Sequence, residues 1–100
     1  METLTFKQEE LKDLLKLNNN NRLENQITIT FKNNNVVFDS RFEKAQAKRK
    51  CQSDKTIVVF AKRFLEFVKN NKVINLKLEN NNRLLLTSIH NSTVIPCILE

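Results

Sequence analysis

The sequence predicts an α+β domain in which a β-α-β-β-β unit occurs twice, with two helices packed on one face of a mostly antiparallel sheet. Three observations carry this prediction. An amphipathic stripe recurs along the chain, an alternating strand pattern recurs after it, and each alternating strand runs into a triple asparagine.

The stripe comes first in each half. Laid over residues 56–69 at an offset of 53, residues 3–16 put Leu4 on Ile57 and Phe6 on Val59. Leu11, Leu14 and Leu15 then fall on Phe64, Phe67 and Val68, the i, i+3, i+4 spacing of an apolar helix face. Each copy therefore predicts a short strand running into an α-helix of about three turns. At an offset of 47, Ile27, Ile29 and Phe31 match Ile74, Leu76 and Leu78, each set alternating with polar residues as a half-buried strand does. Asn33–Asn35 and Asn80–Asn82 predict hairpin turns, because asparagine tolerates positive φ better than other non-glycine residues. The return strands are 36–40 and 83–88. The two offsets differ by six residues, all of them in the helix-to-strand connection, which is long at 17–25 and short at 70–72. Residues 93–99 predict a closing strand, with Pro96 implying an edge or a bulge. The matching stretch, 44–51, reads either as a weak strand with Ala45, Ala47 and Cys51 inward or as a basic loop around Lys48, Arg49 and Lys50. The whole is one domain, 1–100, with pseudo-repeats at about 3–52 and 56–100. Six of the phenylalanines, Phe6, Phe31, Phe38, Phe60, Phe64 and Phe67, are expected to face the core.

Composition excludes several functions. The chain has no glycine, against a usual level of about seven per hundred. A phosphate-cradling P-loop and a dinucleotide fingerprint both need glycine for close backbone approach. Without tryptophan or tyrosine, an RNA-recognition sheet of the usual stacking kind is not expected either. The fifteen asparagines cluster at 18–21, 33–35, 70–71 and 80–82, each a predicted connection. No apolar run approaches the ~18 residues of a membrane span, and the polar N-terminus is unlike a signal peptide, so a cytoplasmic protein is expected. Cys51 and Cys97 then read as two buried or half-buried thiols, and the sequon Asn91-Ser92-Thr93 as chance. The single histidine, His90, sits among turn residues, and Asp13, Asp39 and Asp54 share no motif. Neither a metal site nor paired-carboxylate chemistry is indicated; no cofactor and no enzyme activity are expected.

The runs D-K-T-I-V-V-F-A-K-R-F-L-E-F-V-K and V-I-N-L-K-L-E-N-N-N-R-L-L-L-T-S-I-H-N-S-T-V-I-P-C-I-L-E resemble the second half of a domain of the bacterial sliding-clamp family, the processivity rings of DNA polymerases. M-E-T-L-T-F-K-Q-E-E-L-K-D-L-L-K and I-T-I-T-F-K-N-N-N-V-V-F-D-S resemble the first half, so the likeness spans nearly the whole chain. It implies a non-catalytic, DNA-clamp-like protein of DNA replication whose helices face double-stranded DNA and hold its phosphates without reading bases. It also implies a homo-oligomer and a polymerase or other replication protein as partner. Clamps carry two or three such domains per chain; a ring from this one-domain chain would take about six copies.

On this reading the DNA contacts are Lys12 and Lys16 of the first helix, Arg22 in the loop after it, and Lys62, Arg63, Lys69 and Lys72 around the second helix. The second set faces only Glu66 and is net +3, whereas Lys7, Lys12 and Lys16 are balanced by Glu9, Glu10 and Asp13. Residues 41–55 add a further +4 to a chain whose total is +6. The alternative is a clamp-fold interaction module that binds a replication or repair partner and never encircles DNA.

Overall fold

Alternation of residue type along the chain becomes alternation of burial in space. The computed structural model describes residues 3–20, 26–40, 43–50, 54–80 and 82–99, the side chains of 16–20 excepted. The elements in order are β1 (Leu4–Lys7), a 3-10 helix (Gln8–Asn20), β2 (Gln26–Lys32), β3 (Asn35–Asp39), β4 (Lys44–Lys48), β5 (Lys55–Phe60), α1 (Ala61–Asn70), β6 (Val73–Glu79), β7 (Arg83–Thr87) and β8 (Ser92–Leu99). Every described strand pairing is antiparallel, in the order β1-β6-β7-β8-β5-β2-β3-β4.

Two three-stranded meanders, β2–β3–β4 and β6–β7–β8, form the sheet, and the strand that precedes each helix crosses to the other meander. β1 lies on β6 with Leu4 opposite Leu76 and Phe6 opposite Ile74. β5 lies on β2 with Ile57 opposite Ile29 and Val59 opposite Ile27. β8 ties the meanders together through Cys97–Leu99, which pair with Ile57–Val59. The two helices pack against each other and bury Leu11, Leu14, Phe64 and Val68 in the same cluster as the inward sheet residues. At its centre Phe38 meets Phe6 edge-on at 5.3 Å, a geometry that aromatic quadrupoles favour, and Phe64 at 5.9 Å with the rings tilted by 36°.

Five expectations are refined. The first helix winds as a 3-10 helix, not an α-helix; Leu11 and Leu14 stand three apart and are fully buried, a spacing that serves either winding, while Leu15 is only half-buried. The 44–51 stretch resolves into a strand over Lys44–Lys48, with Ala45 and Ala47 inward; Cys51 lies outside the described residues. The β2–β3 turn is made by Asn33 and Asn34 alone, at φ 51° and 63°, and Asn35 already pairs with Lys32. Pro96 stands neither on an edge strand nor at the end of the order. It sits where β8 leaves β7 for β5: it is opposite Arg83, and pairing with β5 begins at Cys97, so its missing N–H falls at the handover. Finally, Phe60 is 54% exposed. Ile57 and Val59 take the inner face of β5, and period two sends Phe60 outward with Val58.

Candidate nucleic-acid interface

The apolar stripe of α1 places the basic residues. In α1 the apolar set Ala61, Phe64, Leu65, Phe67 and Val68 is buried, which leaves Lys62, Arg63, Glu66 and Lys69 on the opposite, exposed arc. Lys72 follows as an exposed residue before β6, and Lys12 is exposed on the neighbouring 3-10 helix. The structure thus gathers Lys12, Lys62, Arg63, Lys69 and Lys72 on or beside the paired helices. Among the described residues none of the five is paired with a carboxylate. The backbone of Lys16 lies in the 3-10 helix, with its side chain outside the described set; Arg22 lies outside the described residues altogether.

The N-terminus of α1 breaks the usual helix rules. Its capping position is Phe60, which offers no side-chain hydrogen bond, and its first turn has no acidic residue but carries Lys62 and Arg63. Cations at the positive end of a helix dipole cost stability, and uncapped N–H groups there are left for water or an anion. The C-terminus is, by contrast, tied at three of its carbonyls. Asn71 Nδ2 donates to the Phe67 carbonyl at 2.8 Å, and Gln8 Nε2 donates to the carbonyls of Val68 and Lys69, each at 2.8 Å. The Gln8 backbone N–H reaches the Lys72 carbonyl at 2.8 Å. Asn71 Oδ1 in turn accepts from Ser88 Oγ at 2.8 Å and Asn91 Nδ2 at 2.9 Å. These bonds fix α1 against the 3-10 helix and the β7–β8 turn, and so fix the spacing of the cations that the helices carry. A polar cleft of about 590 Å³ lies beside them, between α1 and the start of β8, lined by Arg63, Glu66, Asn70, Asn91, Ser92 and Thr93 among others.

Sequence reasoning missed a second surface. Val58 and Phe60 of β5, with Pro96 and Ile98 of β8, meet on the outer face of the sheet around a hollow of about 70 Å³. Ile98 is 59% exposed, and Val58 is buried without belonging to the core cluster, so its outer-face neighbours cover it. The signal was present: Ile57–Phe60 and Val94–Cys97 are apolar without alternation, and a strand that is apolar on both faces has something to cover on each. Cys97 forms part of this hollow's wall, and burial pushes its thiol pKa up. Among the described residues no group of three or more His, Cys, Asp or Glu side chains is placed to hold a metal, and no helix is long and apolar enough to cross a membrane.

No family model matches the sequence, and neither does any curated protein. Solved structures do match. DNA polymerase III subunit beta from Pseudomonas aeruginosa superposes with a TM-score of 0.74 at 15% identity, over 97% of this chain and 30% of that one. The DNA polymerase III beta subunit of Thermotoga maritima gives 0.72 at 18% identity, over 96% and 30%. The Helicobacter pylori beta clamp gives 0.70 at 14%, over 97% and 30%. The chain therefore spans about 30% of the length of the proteins it matches. At these identities the likeness is one of fold, and the fold of this chain is that of a single sliding-clamp domain.

Proposed function

We propose that this chain is a non-catalytic, clamp-like protein that holds duplex DNA through phosphate contacts during DNA replication, assembling as a homo-oligomer. The observation that carries the proposal is the basic arc of α1. Lys62 and Arg63 stand at an uncapped helix N-terminus where they cost stability, and a local rule broken without a structural gain marks a functional position. Lys12, Lys16, Arg22, Lys69 and Lys72 extend the same contact. Phosphates suit such a site because helix N–H groups and side-chain cations attract them together. Cation number, not base identity, sets such binding, and counterion release makes it salt-dependent.

Fluorescence anisotropy with a labelled random-sequence duplex, between about 50 and 200 mM salt, tests this. The expected log–log plot is linear with a negative slope, and the double variant K62E/R63E weakens binding and flattens the slope by about 2. Salt-independent binding, or a double variant that binds like the parent, overturns it.

The two halves are read as copies of one unit over about 3–52 and 56–100. The register supports this reading. The pair Leu4–Leu76 becomes Ile57–Ile29, and Phe6–Ile74 becomes Val59–Ile27, when the sequence offsets are applied to each partner. The outer-face hollow favours a second role alongside the first: an apolar segment of a polymerase or other replication protein docks over Phe60, Val58, Pro96 and Ile98.

A further inference from the structure

The ends of the strand order, β1 and β4, have no ladder between them among the described residues. A pair of side chains stands there instead. Arg49, the residue after β4, donates from Nε to the Thr5 carbonyl of β1 at 2.8 Å and from Nη1 to the Lys48 carbonyl at 2.7 Å. Its Nη2 donates to Glu10 Oε1 in an ion pair, and its guanidinium lies over the ring of Phe6, 4.9 Å from the centroid. Glu10 Oε1 also accepts the Lys7 backbone N–H at 3.0 Å. The carbonyls of Thr5 and Lys48 and the N–H of Lys7, groups that sit along a sheet seam, are thus bonded to two side chains. The Lys7 N–H holds the Glu10 carboxyl below the usual range; partial burial opposes this, and Arg49 reinforces it.

The opposite seam is built differently. There β5 and β8 pair by main chain, Ile57 with Leu99, Val58 with Ile98 and Val59 with Cys97. Arg49 and Cys97 hold corresponding places. Ala47 lies opposite Val36 and Ile95 opposite Leu84, and each of the two residues stands two positions further on. One seam is therefore zipped by backbone and the other clasped by a cation. Arg49 and Glu10 keep 28% and 30% of their side-chain surfaces exposed, so salt screens them as it cannot screen a ladder.

We propose that the Arg49–Glu10 pair is a releasable clasp: the sheet parts between β1 and β4 before it parts between β5 and β8, and salt eases that parting. Parting uncovers Phe6 and leaves two strand edges open to pair with a strand of another chain. The proposal stands apart from the DNA reading and holds whether or not the basic arc binds phosphate.

Native-state amide hydrogen exchange on the full chain tests it, read by NMR at Leu4–Lys7 and, as the internal control, at Ile57–Val59. In the parent, exchange in β1 is the faster of the two and rises with salt, while the control does not. Arg49→Met accelerates β1 by about 10- to 100-fold, the loss expected for hydrogen bonds from a charged group, and removes its salt dependence. If Arg49→Met fails to fold, Glu10→Gln, which keeps the shape and an acceptor for the Lys7 N–H, reads the same contrast. Equal acceleration of both strands, or no selective change in β1, overturns the clasp.

Discussion

At the scale of single residues, asparagine does the work that glycine does elsewhere. Asn33, Asn34 and Asn82 all stand at positive φ, and each falls inside a cluster that the sequence marks as a turn. A short polar side chain that bonds its own backbone tolerates this conformation, whereas a β-branched one clashes with the carbonyl. Asn34→Val is expected to cost about 1–2 kcal/mol, seen as a fall in Tm of roughly 4–8 °C per kcal/mol, whereas Asn34→Gly leaves Tm unchanged or raises it. An unchanged Tm in the valine variant would contradict the assigned turn. The turns were legible because the missing glycine forces a substitute, and the substitute is conspicuous. Arg49 and Glu10 were not legible in the same way. They stand thirty-nine positions apart, and only the fold brings the end of β4 against the 3-10 helix.

At the scale of elements, α1 has one end for stability and one for something else. Gln8 and Asn71 bond three of its C-terminal carbonyls, while Phe60 leaves its N-terminus uncapped and half-exposed beside Val58 and Ile98. Aspartate at the capping position gains about 1 kcal/mol, comparable with the loss from a ring that is only half covered. Phe60→Asp is therefore expected to keep unfolding stability within about 1 kcal/mol of the parent, measured by urea denaturation. A loss of about 3 kcal/mol or more, the range of buried Phe truncations, would show Phe60 to be core. Phe60 is expected from the sequence among the inward residues, whereas the strand pleat of β5 turns it outward. Elements were read correctly where one period applied throughout, as in β2 and β6, and less well where two met. The 3-10 winding of the first helix was invisible for a related reason: leucines three apart satisfy both windings.

At the scale of the whole molecule, the sheet order is what a list of elements cannot supply. Period-two patterns specify which face each strand buries but not its neighbours, so the crossing of β1 to β6 and β5 to β2, and the interior place of β8, came only with the fold. Pro96 pointed towards an edge because the handover between two neighbours leaves no trace in a single strand. The charge was legible as composition, +6 in all, yet the placing of Lys12 near the cations of α1 depends on the packing of the two helices, which only the fold supplies. The domain spans about 30% of the clamps it matches, so a ring built from copies of it, as proposed, takes about six of them to surround a duplex. Solution mass by light scattering, with and without duplex DNA at low salt, tests that claim most directly. The account predicts a species of about six copies, free or assembled on the duplex; a monomer or dimer under both conditions would contradict it.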